Sequence, residues 1–77
     1  MKKMSNYILL LCKKLKELRL KNGLTQSSLC NEIKKYGCII DRSTYAKYES
    51  GKRIISLDVL IALALHYKVT TDFLLGL

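Results

Sequence analysis

Between Asp41 and Arg53 the chain reads DRSTYAKYESGKR. These residue types suit hydrogen bonding and charge pairing rather than covalent chemistry. Arg42 can grip guanine through two parallel hydrogen bonds, and Lys47 can reach guanine or a phosphate. Ser43 or Thr44 can bond a base or a phosphate, and Ala46 can touch a thymine methyl. Tyr45 and Tyr48 stand three residues apart, the step that keeps two side chains on one helical face. The spacing predicts a helix from Arg42 to Ser50, capped by Asp41 and ended by Gly51. Its tyrosines turn inward and leave Arg42, Ser43, Ala46 and Lys47 on the outer face.

Other chemistries find no support. No nucleophile–base pair, paired carboxylates or phosphate-binding loop occurs, so an enzyme is not expected. Cys12, Cys30 and Cys38 are odd in number and lack a CxxC spacing, and His66 alone stands ready to assist them. Neither a disulfide framework nor a metal site follows, and no cofactor or small-molecule ligand is expected. The thiols read as buried or half-buried in a reducing compartment, with Cys38, in a turn, the most exposed. His66 reads as a surface histidine near a helix end.

Charge points to the partner. Fourteen cations against six acids give a net charge of +8. Residues 1–35 carry +7 of it, residues 36–56 carry +2, and residues 57–77 carry −1. A basic front suits a polyanion, and a neutral, apolar back suits packing or association. The apolar runs Tyr7–Cys12 and Val59–Leu65 fall far short of the roughly 18–20 residues of a membrane span. No cleavable leader is apparent, so a cytoplasmic protein without a membrane partner is expected.

The outward residues need elements to hold them, and the pattern supplies five helices. Ile8, Leu11, Cys12, Leu15 and Leu18 recur at three- and four-residue steps, capped at Ser5 or Asn6 and stopped at Asn22-Gly23. Thr25 caps a short second helix with Leu29, Cys30 and Ile33 inward, closed by Tyr36-Gly37. Ser56 caps a fourth helix, expected to turn Leu57, Leu60, Ile61, Ala64 and Tyr67 inward. Thr70 or Thr71 caps a last one, Asp72 to Leu75. The expected fold class is all-α, one domain over residues 1–77 with residues 1–5 as a basic arm. Its second and third helices, joined by a tight Gly-containing turn, make a helix-turn-helix unit.

These segments resemble a known family. LKELRLKNGLTQSSL, RSTYAKYESGKR, SLDVLIALALHYKV and TTDFLLG together are similar to the Cro/C1-type (XRE-family) helix-turn-helix domain, over about residues 11–76. The matching signatures are Leu18-Arg19, Gly23-Leu24-Thr25-Gln26, Tyr48-Glu49-Ser50-Gly51-Lys52-Arg53 and Ser56-Leu57-Asp58-Val59-Leu60. The resemblance implies a lambda-repressor-like five-helix bundle that binds double-stranded DNA as a transcriptional regulator, most simply a repressor. It implies that Thr25 and Gln26 touch a phosphate, that Lys52 and Arg53 grip the backbone, and that Arg19 pairs with Glu49. The chain departs from the family at Gly37–Asp41, a turn about two residues longer than usual, so Ile39 or Ile40 must be buried or bulge. It departs again at Ile55, where a proline is common.

The last third carries more apolar residues than one small core absorbs. Val59, Ala62, Leu65, Leu75 and Leu77 are expected to form an association surface, and with it a symmetric homodimer. Two recognition helices would then lie about 34 Å apart, one turn of DNA. The competing expectation is a protein-interaction module, of antitoxin or anti-repressor type, that uses this apolar C-terminal face on a protein partner.

Overall fold

The computed structural model describes residues 5–77. Apart from Ser5, the basic arm expected at residues 1–5, with Lys2 and Lys3, lies outside the described residues. Among those described, the backbone forms five α-helices and no strand: α1 (Asn6–Lys21), α2 (Gln26–Glu32), α3 (Arg42–Ser50), α4 (Leu57–Tyr67) and α5 (Thr71–Leu75). A 3-10 turn, Ile33–Tyr36, prolongs α2.

Local chemistry sets the starts of these helices. Ser5, Thr25, Asp41, Ser56 and Thr70 each accept a hydrogen bond from the backbone N–H three residues on. Each cap satisfies one of the donors that a helix start leaves unpaired. The ends are less uniform. α3 stops at Gly51, which takes the left-handed conformation at φ 79°. α4 stops at Lys68, which takes it at φ 58° without a glycine.

The core gathers Leu11 and Leu15 of α1, Leu29 of α2, Tyr45 and Tyr48 of α3, Leu60 and Leu63 of α4, and Leu74 of α5. Each fully buried side chain of this size contributes about 1.5–3 kcal/mol of transfer free energy. α1 lies along α5 on one side and α3 on the other, while α2 packs on α3. α3 is thus held from two directions by its inner face, with Tyr45 wholly buried.

Four sequence expectations need correction. Val59 and Ala62, assigned to an association surface, are 2% exposed and belong to the core. Leu57 and Ile61, expected inside, are 68% and 43% exposed. The helix is turned so that Val59, Ala62 and Leu63 face inward. Its apolar residues run all round, so any stripe fits the helical period, and the neighbouring helices choose among them. Cys38 is buried rather than exposed, because the long turn folds it towards Asp58 and Ala62 of α4 and turns Ile39 outward. His66 is not at the surface: its side chain is largely buried, with Nε2 3.3 Å from Glu32 Oε1 and the Tyr67 ring 5.1 Å away.

The three cysteines are all free thiols. Burial pushes each of them above the ordinary thiol value, so they stay protonated at neutral pH. Cys12 also has a bonding role, since its thiol donates to the Tyr48 carbonyl at 3.3 Å and ties α1 to α3.

Candidate nucleic-acid interface

With Tyr45 and Tyr48 inward, α3 turns its other side to solvent. Arg42, Ser43 and Lys47 are exposed, and Thr44 and Ala46 are half-buried. Ser50 shares this outer side, seven residues from Ser43 and three from Lys47, and is exposed as well. Sequence reasoning used it only to end the helix, although its spacing already put it in register.

A guanidinium adds a polar anchor to the buried face of this helix. Arg19 of α1 donates Nε to Glu49 Oε2 at 2.8 Å and Nη2 to Glu49 Oε1 at 2.9 Å, the paired geometry that arginine makes best. Its Nη1 donates to the Leu24 carbonyl at 2.9 Å, which also fixes the turn into α2. The pair lies largely out of water, with side-chain exposures of 11% and 6%. Burial is the largest single influence on the Glu49 carboxyl and would raise it, but the bonds and charge of Arg19, with Tyr45 and Gln26, together outweigh burial and hold it below its ordinary value. The same bonds push Arg19 further up.

Gln26 extends this network to the outer face. Its Nε2 donates to Glu49 Oε1 at 3.4 Å, and its Oε1 accepts from Arg42 Nη1 at 2.9 Å. Arg19, Glu49, Gln26 and Arg42 therefore form one hydrogen-bonded chain across α1, α3 and α2. The resemblance implied a phosphate contact for Gln26; what the structure shows is a side chain that ties α2 to α3.

Thr25 and Gln26 stand at the α2 N-terminus, on the rim of an open groove shared with Arg19, Leu24 and Arg42. Lys52 and Arg53 are exposed just past α3, where the Arg53 N–H donates back to the Lys47 carbonyl at 3.3 Å. Cations there also complement the negative end of the α3 dipole. Among the described residues, no cluster of side chains suited to a metal ion occurs and no helix is long and apolar enough to cross a membrane.

Two helices packed together and joined through a 3-10 turn and a five-residue loop, the second with its polar side open and flanked by cations, define a DNA-binding domain of the helix-turn-helix class. Residues 15–74 match the model of the family described as Helix-turn-helix, and the chain belongs to that family. It is similar to YobD of Bacillus subtilis (strain 168), described as an uncharacterized HTH-type transcriptional regulator. The two are 36% identical over 66 residues, which is 86% of this chain and 54% of the relative. The chain thus spans about half the length of that relative. No solved structure gives a significant match.

Proposed function

We propose that the chain reads double-stranded DNA sequence-specifically through α3 and represses transcription by occupying its site. The carrying observation is the division of α3: tyrosines buried on one side, Arg42, Ser43 and Lys47 open on the other, and the helix anchored by Arg19–Glu49. A helix presented in this way fits the major groove with its N-terminal residues towards base edges. Thr25, Gln26, Lys52 and Arg53 serve as phosphate contacts beside it.

Selection from a random DNA pool, followed by affinity measurements across salt, tests this reading. The expected log–log slope is about −0.9 per phosphate neutralised. The selected site should bind roughly a thousandfold or more tighter than random DNA. Weak, sequence-blind binding would instead favour the protein-interaction module.

A homodimer completes the proposal. Leu57, Ile61 and Leu65 recur every four residues along α4 and are all exposed, with exposed Ile54 just ahead of them. From Ile54 to Tyr67 the chain has no lysine or arginine, so two copies of a +8 chain meet there with the least repulsion. Val59 and Ala62 have no part in this surface, because they are core. Leu75 packs half-buried against the core, and Leu77 is exposed at the chain end. The double variant Leu57→Glu, Ile61→Glu is expected to stay folded but sediment as a monomer and lose cooperative binding to two-half-site DNA. A native chain that sediments as a monomer even on such DNA would refute the dimer.

A further inference from the structure

Further exposed apolar residues lie where α1 packs along α5. Leu10 of α1 abuts the end of α5, where a Cβ on Gly76 would stand 3.4 Å from its Cδ1. One turn further along α1, Lys14 holds its ammonium 4.5 Å above the centre of the Phe73 ring. Tyr7 precedes Leu10 by three residues on the same face, and Leu77 follows Gly76. Tyr7, Leu10, Phe73 and Leu77 are all exposed, so apolar side chains from both helices stand open to water around the contacts of Leu10 with Gly76 and of Lys14 with Phe73. An apolar area of this kind on a small domain marks an association site.

The charges around it choose the occupant. The outer side of α1 carries Lys13, Lys14, Lys16 and Lys21 against Glu17 alone, and Asp72 is the one acid on α5. Two copies docked through this face would set like charges against each other. A partner that combines apolar side chains with carboxylates meets both features at once. Phe73 and Lys14 together suit it best: a carboxylate draws the ammonium off the ring, and the uncovered ring then packs against the partner.

We propose that this α1–α5 face docks an acidic amphipathic helix from another protein. Its apolar side chains rest on Tyr7, Leu10, Phe73 and Leu77, and its carboxylates pair with Lys13 and Lys14. The helix-in-groove mode of recognition reads such a ligand through anchors at i, i+3, i+4 and i+7. The docked helix leaves α3 free. Cys12, which bonds to α3, and Leu10, which abuts α5, are about 160° apart around α1 at 100° per residue. The partner therefore binds together with DNA rather than in competition with it.

The test uses the full chain and a synthetic helical peptide about four turns long, with leucines at the i, i+3, i+4, i+7 spacing and glutamates elsewhere. A control peptide keeps the leucines and replaces the glutamates with lysines. NMR titration should give saturable shifts centred on Leu10, Lys14, Phe73 and Leu77 that weaken as salt rises, and the lysine peptide should give none. Lys14→Glu should lower the affinity by about tenfold or more while leaving the fold intact. Phe73→Ser should abolish the shifts, and prior binding of DNA should not displace the peptide. Equal binding of both peptides, shifts on the α4 stripe, or no binding would overturn the proposal. So would Phe73-dependent binding to phosphatidylglycerol vesicles in place of the peptide, or Phe73-dependent self-association. Loss of DNA binding in the native chain would count against α3 as the reading helix and would leave this titration unaffected.

Discussion

An Arg19→Ala variant is expected to be about 3–5 kcal/mol less stable than the native chain at neutral pH, as measured by urea denaturation followed by circular dichroism. A small domain holds only roughly 5–15 kcal/mol in all, so this one change removes a large share of the total. The cost does not equal the worth of the ion pair. Without Arg19, Glu49 keeps its charge in a site almost closed to water, and the Leu24 carbonyl loses its donor. Most of the penalty is that stranded carboxylate. Replacing both partners by apolar residues of similar volume, Arg19→Met with Glu49→Leu, should therefore cost much less than Arg19→Ala alone. A double variant as unstable as the single one would refute this partition.

Acid separates the two states of Glu49 by sign. In the native chain its carboxyl is held below its ordinary value of 4.5, so the folded state takes up the proton less readily than the unfolded chain. The stabilisation is complete above pH 4.5 and is lost as pH falls through the lower folded-state value. In Arg19→Ala the paired bonds are gone, and burial, which favours the neutral acid, is opposed mainly by Tyr45 and the longer bond from Gln26. The deficit of the variant should shrink on acidification, while the native chain loses stability over the same interval. Glu49→Gln should flatten the acid limb of the native curve. Parallel pH profiles for all three proteins would sink the assignment.

Legibility from sequence followed the range of each interaction. Caps act over three residues, and Thr25, Asp41 and Ser56 were readable from type and position alone, while the choices between Ser5 and Asn6 and between Thr70 and Thr71 were made only by the fold. The inward placement of Tyr45 and Tyr48 was readable too, because α3 is polar on its other side and one face alone suits the core. α4 gave no such contrast. Leu57 and Val59 are both apolar, and the packing of α4 against α5 and the 3-10 turn decides which enters the core. Cys38 was misplaced for a related reason: in a five-residue turn between helices the pattern has no period to read, and only the fold shows that Ile40 rather than Ile39 packs inward. The bridge from Glu49 through Gln26 to Arg42 joins residues 23 and 16 positions apart, and only the folded chain brings them together. The candidate site was thus legible as a set of residues and illegible as a network.

Arg42→Ala and Lys52→Ala should fail in different ways, and the difference tests the division between base reading and phosphate gripping. Arg42 sits at the N-terminal end of α3, the end that the proposed reading sends into the groove, and one arm of its guanidinium is already oriented by Gln26. A bidentate contact to guanine is worth about 1–3 kcal/mol of discrimination. Arg42→Ala should relax preference at one base pair in each half-site and leave the others as they were. Lysine should not rescue it, because a point charge cannot reproduce the fork. Lys52 lies beyond the C-terminal end of α3, away from the helix start. Lys52→Ala should weaken binding to all sequences alike and reduce the salt slope by about one phosphate contact. Gln26→Ala separates orientation from contact. It removes the acceptor that aims Arg42, so it should blunt the Arg42 preference even where the phosphate contact is replaced by added charge nearby. Selected-site binding curves across salt read all three effects, and identical behaviour of Arg42→Ala and Lys52→Ala would mean that α3 grips DNA without reading it.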